Sequence, residues 1–426
     1  MEGFLQFKPF ECPTWRNRKP EFKNVPKISE MLHDITKYHK IWQRKEKEYS
    51  NKKDIITQLK RKMALNFFLR LQEGEDIGVK NGETFEKMFD DVANSQNPKP
   101  LTTKKRLRAD NNDVEDHKRC KSDTSQTTQD NNKDAKSIES LPNSLELQDY
   151  IYENSHNTED ETNIKESTNL LNGYWHLRKE MKKLSTNEMQ VYAGEIEIES
   201  CIQDCHKILM EDLMDNCKTT PGKFSTMPRS SNFEGETFLY PSYATENIAF
   251  DAVDTLITHY NFMVDNVTKS KQEEEKVEMT LKCATLLLFG FLTLHPFADG
   301  NGRLARLLCS HCLSNFCPFQ TPIYNVFSPS SRDDYLQALV IGRKNLTMND
   351  VAHSFSESAK REVLEILKQG PSELCSLLIE CNWFSWRYFL TSLGTDEIQL
   401  FDFERGKRNI EGELSIEGIR TQYKSE

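Results

Sequence analysis

His295–Arg306 reads HPFADGNGRLAR and lies between a very apolar stretch, Met279–Leu294, and a second helical pattern, Leu304–Phe316. Pro296 cannot continue the helix before it, so His295 is delivered at a helix end, where an imidazole of near-neutral pKa can take a proton from an attacking hydroxyl. Asp299 is a hard oxygen ligand suited to Mg²⁺ beside nucleotide phosphates. Gly300, Asn301 and Gly302 make a turn whose absent or short side chains let backbone N–H groups approach an anion at a helix N-terminus. Arg303 and Arg306, three apart on the first turn, can face the same phosphates. Taken singly, His-Pro is a helix terminus, Gly-Asn-Gly a tight turn and two arginines a solvated face. Their conjunction in one short run specifies a phosphate-handling site.

Upstream, Leu171, Tyr174, Leu177 and Met181 fall at helical spacing, Ile196–Met214 repeats the pattern, and Ala249–Met263 gives a third helix before the apolar stretch. Between the second and third helices, residues 222–247 are rich in Gly, Pro and Ser around a short aromatic run, Thr237–Tyr240, which suits an extended loop or hairpin. Downstream, Asp333–Ile341 and Asp350–Leu367 are helix candidates, and the tail beyond Ile379 carries aromatic and strand-like stretches such as Ile398–Phe403. The predicted fold is all-α with one hairpin.

Ile28–Leu71 reads as long charged helical sequence, a helical hairpin. Four segments follow: an N-terminal helical region at 1–93, a low-complexity insertion at 94–160, a core at 161–370 and a small C-terminal appendage at 371–426. The insertion is Asn, Asp, Ser, Thr, Lys and Gln with almost no aromatics, too little apolar surface to offset ordering entropy, so disorder is expected. It also explains why hydrophobic residues reach only 37% of the chain. A net charge of -10 argues against passive nucleic-acid or anionic-membrane binding by the whole molecule. No apolar run approaches a membrane span and the start lacks the order of a signal peptide, so an intracellular protein is expected. Eleven cysteines with no second CxxC beside Cys309–Cys312 indicate reduced thiols, and Cys309, His311 and Cys312 splay on an apolar helix rather than converge on a metal.

HPFADGNGRLAR resembles, position for position, the signature of the Fic (filamentation induced by cyclic AMP) family, His-x-Phe-x-[Asp/Glu]-Gly-Asn-Gly-Arg-x-x-Arg, and the likeness extends over about 170–367. That resemblance implies an all-α Fic-type domain with a target-binding flap, and transfer of a nucleotidyl group, most often AMP from ATP, to a Ser, Thr or Tyr hydroxyl of a target protein. By position it makes His295 the general base, Asp299 the Mg²⁺ ligand, Gly300, Asn301 and Gly302 the anion cradle, Arg303 and Arg306 the phosphate clamps, and Phe297 a buried anchor. It allows removal of the AMP as a second reaction, and relatives that transfer UMP, phosphocholine or phosphate leave the nucleotide open. A catalytically idle interaction scaffold is the contrasting class, disfavoured because base, metal ligand and both arginines are present.

Two departures bear on this. Gly222, Lys223 and Phe224 are followed by Ser225 where many relatives have Arg, and Asp334, Tyr335 and Gly342 stand where adenylylating relatives have an aromatic pair and Asn. The resemblance further suggests an inhibitory helix whose Glu meets the second arginine of the signature: Leu69–Gly74, LRLQEG, offers Glu73 before Gly74, with Leu69 where Ser or Thr is expected. Two basic clusters, Lys104–Arg108 and Lys118–Lys121, flank an acidic spacer as an import receptor would require, giving a nuclear or nucleocytoplasmic expectation. A homodimer is allowed.

Overall fold

The computed structural model describes residues 2–18, 26–48, 53–96, 160–186, 195–213, 220–323, 331–344, 346 and 352–394. Most of the insertion, the basic clusters at Lys104–Lys121 and Ile398–Phe403 lie outside the described residues. The elements are α1 (Thr14–Arg18), α2 (Ile28–Glu48), α3 (Lys53–Glu75), α4 (Gly82–Gln96), α5 (Glu161–Thr186), a π-helical turn Ile198–Gln203 running into α6 (Asp204–Leu209), β1 (Ser230–Phe233), β2 (Glu236–Leu239), α7 (Glu246–Lys269), α8 (Glu273–Leu294), α9 (Asn301–Leu313), α10 (Arg332–Arg343), α11 (Ser356–Lys368) and α12 (Ser372–Ser392). Among the described residues, the expected all-α architecture with a single hairpin is what forms.

Helix α8 is the axis. Glu273, Glu274 and Glu275 occupy its first turn, where they complement the helix dipole, and from Thr280 to Leu294 every residue is buried. It packs against α2, α7, α9 and α12 at once, so it needs apolar side chains all round rather than along one stripe. By length and composition it could cross a bilayer, contrary to the sequence reading, yet 89% of its most apolar window is buried against the protein's own helices.

Two segment assignments change. The tail at 371–426 is no appendage over its first part: α12 packs on α2, α8 and α10, with Leu374, Trp383, Trp386 and Phe389 in the core. Its sequence resembles strand material because a helix enclosed on every side shows no polar face. The N-terminal helices are likewise not a self-packed hairpin: α2 lies on α12 and α8, while α3 lies on α4, α9 and α12. One continuous core therefore runs from Trp15 to Leu393.

The hairpin is short. Ser230 pairs with Leu239 and Phe233 with Glu236, leaving Glu234 and Gly235 as a two-residue turn with φ of 51° and 82°. Two successive positive φ values are those of a type I′ turn, whose twist matches that of the strands.

Candidate active site

Helix α8 ends where Pro296 removes the next backbone donor. His295 caps it in the left-handed region, φ 48° and ψ 56°, with its N–H donating to Phe291 O at 2.9 Å. A non-glycine residue held there is strained, and the neighbours over-determine it. Phe297 is fully buried, flush against His206 with ring centroids 3.6 Å apart and near Phe224 and Phe291. Asn301 closes the loop: its Oδ1 accepts from Phe297 N at 2.9 Å and its Nδ2 donates to Phe297 O at 2.8 Å. The Asn301 side chain is thus occupied in fixing the loop, which leaves its backbone N–H for the expected anion cradle. Gly300 must be glycine: φ is 73°, and a Cβ would stand 2.7 Å from Met210 Sδ.

Below the hairpin, the Tyr240 ring lies on the His295 ring, centroids 4.0 Å apart and 14° from parallel, and the Arg343 guanidinium lies 5.1 Å from the Tyr240 ring. Arg343 is held by Leu292 O at 2.7 Å. Burial, then the charges of Arg229 and Arg343, push His295 down to about 3, so the imidazole is neutral. A neutral ring is the form that accepts a proton.

The first turn of α9 carries no side-chain cap, which leaves its N–H groups facing the space beside Asp299. Arg303 is buried, reaches Asp299 Oδ2 at 3.4 Å, and its Nη1 has no hydrogen-bond partner among the described residues. Arg306 is also buried, with its guanidinium 5.3 Å from the Tyr335 ring. An uncapped helix terminus flanked by two buried guanidinium groups is an anion site.

A carboxylate already sits in it. Glu75, the last residue of α3, forms an ion pair with Arg306, and its Cδ is 2.9 Å from where a Cβ on Gly302 would stand. Glu73, the expected partner of Arg306, instead pairs with Arg70 on the exposed side of the helix. Two residues along an α-helix turn the side chain through roughly 200°, so Glu73 and Glu75 face opposite sides and only the second can reach α9.

The Fic/DOC family model matches residues 198–313, from the π-helical turn through α9. Over these residues the chain matches a Fic domain. A Fido domain-containing protein of Dictyostelium discoideum is 39% identical over 57 residues, 13% of this chain and 36% of that one. A protein of Ostreid herpesvirus 1 named ribonucleoside-diphosphate reductase small chain is 28% identical over 156 residues, 37% of this chain and 24% of that one. The chain thus spans little more than a third of the first of these curated relatives and about a quarter of the second. Among solved structures, a Fic family protein from Desulfovibrio desulfuricans is 11% identical, with 91% of this chain and 78% of that one covered at a TM-score of 0.47.

The two sequence departures have structural counterparts. Ser225 replaces an arginine, and Arg229, four residues on, supplies a guanidinium at the hairpin base, donating to Ser225 O at 2.8 Å, Met227 O at 3.2 Å and Pro241 O. Asp334 is a helix cap, paired with Ser331 in a capping box, and a Cβ on Gly342 would meet Phe289 at 2.7 Å. Gly342 is therefore a close-packing residue, while Tyr335 lies under Arg306.

Asp299 fits a magnesium ion that keeps most of its own water. Its side chain is 59% exposed, and among the described residues no three acidic, His or Cys side chains converge on a metal position. A single exposed carboxylate is the usual protein share where substrate phosphates complete the shell.

His206, Tyr240, Arg229, Arg343 and Glu75 are site residues that the motif does not contain. His206 accepts from Gly222 N–H at Nδ1 and donates from Nε2 to Asp299 O, both at 2.9 Å, and burial pushes it down to about 4. Its partners are 16 and 93 residues away, beyond any local pattern.

Proposed function

We propose that the chain is a protein nucleotidyltransferase that moves AMP from ATP to a Ser, Thr or Tyr hydroxyl of another protein. One observation carries this reading: the neutral imidazole of His295 ends α8 directly beside the uncapped, arginine-flanked start of α9. In the reaction the target hydroxyl gives its proton to His295 as its oxygen bonds the α-phosphorus, and the bond from that phosphorus to pyrophosphate breaks. The α9 amides with Arg303 and Arg306 would hold the phosphates, and Asp299 would hold Mg²⁺, which when bound offsets phosphate charge. Burial and two nearby arginines make His295 a weak acceptor until substrate arrives. A polyanionic nucleotide offsets those arginines and raises its basicity.

Glu75 supports an inhibited resting state, since its carboxylate takes the guanidinium that a phosphate would use. The same carboxylate, placed beside the cradle, favours a second reaction on this site, hydrolysis of the AMP ester with Glu75 orienting the water. Nuclear import through Lys104–Lys121 belongs to the same proposal. Replacing both basic clusters with alanine in a fluorescent fusion should shift it to the cytoplasm.

The deciding experiment incubates the protein and a cell lysate with labelled ATP, CTP, GTP or UTP. Labelling by ATP above the others, reduced roughly 10²–10⁴-fold in His295→Ala, is expected. Undiminished labelling by the alanine variant would remove His295 from the chemistry, and labelling by another nucleotide would reassign the donor.

A further inference from the structure

His206 is 1% exposed and stands at the centre of the site without facing the reacting groups. Its two nitrogens meet partners of opposite kind. Nδ1 accepts from an N–H, that of Gly222 at the beginning of the flap, so Nε2 must carry the proton it donates to the Asp299 carbonyl. The ring is also clamped, 7° from parallel with Phe297, and Gly300 is bare enough that its Cβ position lies 3.3 Å from Nε2. A second link joins the same two segments: Ser225 N donates to Pro296 O at 2.8 Å.

We propose that His206 is a positioning residue of the transfer reaction, its imidazole tying the start of the target-binding flap at Gly222 to the phosphate loop at Asp299 so that hydroxyl and nucleotide meet in one register. This rests on the transferase reading of the same site. The flap's other ties to the loop are the Ser225–Pro296 bond and the Tyr240 ring on His295, and neither fixes its start at Gly222. Its two four-residue strands pair only with each other, and both Leu239 and Met227 are exposed. The loop in turn ends in an exposed Asp299. A shift of about 1 Å between the two halves is enough to cost roughly 10²-fold in rate.

The two arms separate by substitution. In His206→Asn the amide oxygen falls near the position of Nδ1 and keeps the Gly222 bond while losing Asp299. In His206→Gln the longer amide places an N–H near Nε2 and keeps Asp299 while losing Gly222. His206→Phe keeps the stack on Phe297 and loses both bonds. The asparagine variant should lower kcat by roughly tenfold or more with KM for the target nearly unchanged, and the glutamine variant should raise that KM by roughly tenfold with kcat nearly kept. Hydrogen–deuterium exchange, which needs no turnover, should quicken at 296–300 in the asparagine variant, at Gly222 and the hairpin in the glutamine variant, and at both in the phenylalanine variant.

Identical behaviour of the asparagine and glutamine variants, full activity and native exchange in the phenylalanine variant, or exchange changes spread through α7 and α8 would overturn the proposal. So would failure of both amide variants to fold, which would make His206 a packing residue. If the wild-type protein transfers nothing, the transferase reading falls while the exchange pattern still decides whether the two arms exist.

Discussion

Glu75 closes on Arg306 from the last residue of α3, and the contact spans two segments 231 residues apart in the chain. A charge-assisted pair to a buried guanidinium would compete directly with a nucleotide phosphate for the same donors. If that occlusion is worth about 1–3 kcal/mol, activity is suppressed by roughly 5–150-fold. Glu75→Gly should therefore raise initial rates of target labelling and self-labelling by that factor, and Glu73→Gly should leave them unchanged. Equal rates for wild type and Glu75→Gly, with His295→Ala still inactive, would show that α3 does not restrain the enzyme.

The end of α3 is itself held in place. Arg332, the first residue of α10, donates from Nε to Gly74 O at 2.6 Å, while Gly78 N and Val79 N donate to Glu166 and to Ser167 Oγ, each at 2.8 Å. Losing one such bond loosens the carboxylate without removing it, at about 0.5–1.5 kcal/mol. Arg332→Ala should raise the transfer rate by roughly two- to tenfold and add nothing in a Glu75→Gly background. An additive gain in the double variant would place Arg332 outside the restraint.

The buried position of His295 gives an unusual pH profile. A base works only when unprotonated, and a pKa depressed to about 3 keeps the imidazole unprotonated throughout the ordinary range. The value of kcat/KM, which reports the free enzyme, should therefore show no acid limb from His295 between about pH 8 and pH 5. Tyr240→Ala removes the ring stacked on His295 and lets water reach it, so desolvation weakens and the pKa rises toward the usual range near 6.5. In that variant kcat/KM should fall as pH drops below about 6. An acid limb already present in wild type would place the titration of His295 near neutrality.

How much of this could be read in advance depended on distance along the chain. The loop from His295 to Arg306 was legible because every part of it acts locally: Pro296 ends one helix, Gly300 permits the left-handed turn, and Asn301 bonds a residue four positions away. The hairpin was legible as a class from its Gly, Pro and aromatic residues. Glu75 was not, because Glu73 satisfies the local pattern better, and only the angle at which α3 meets α9 selects between them. Helix α12 was hidden for another reason, since Trp383, Trp386 and Phe389 are buried with their neighbours and leave no apolar stripe to recognise.

That helix also anchors the N-terminal segment, and the anchor is measurable. Arg16 donates from Nε to Glu380 Oε2 at 2.9 Å, its Nη2 lies 2.8 Å from the same oxygen, and its Nη1 donates to Pro26 O at 2.7 Å. The two side chains are 8% and 0% exposed. Mutual attraction in so dry a place roughly offsets the desolvation of both ions, which makes the pair a weak source of net stability. Removing one partner is different, because the other charge then stays buried after losing its ion pair. Arg16→Ala should destabilise by about 3–5 kcal/mol in urea unfolding followed by circular dichroism, whereas the double variant Arg16→Met, Glu380→Leu should recover most of that loss. A cost below about 1 kcal/mol for Arg16→Ala would mean that water or another donor reaches Glu380, and that the N-terminal segment is held chiefly by Trp15 in the core and by Thr14, whose hydroxyl donates to Glu373 at 3.1 Å.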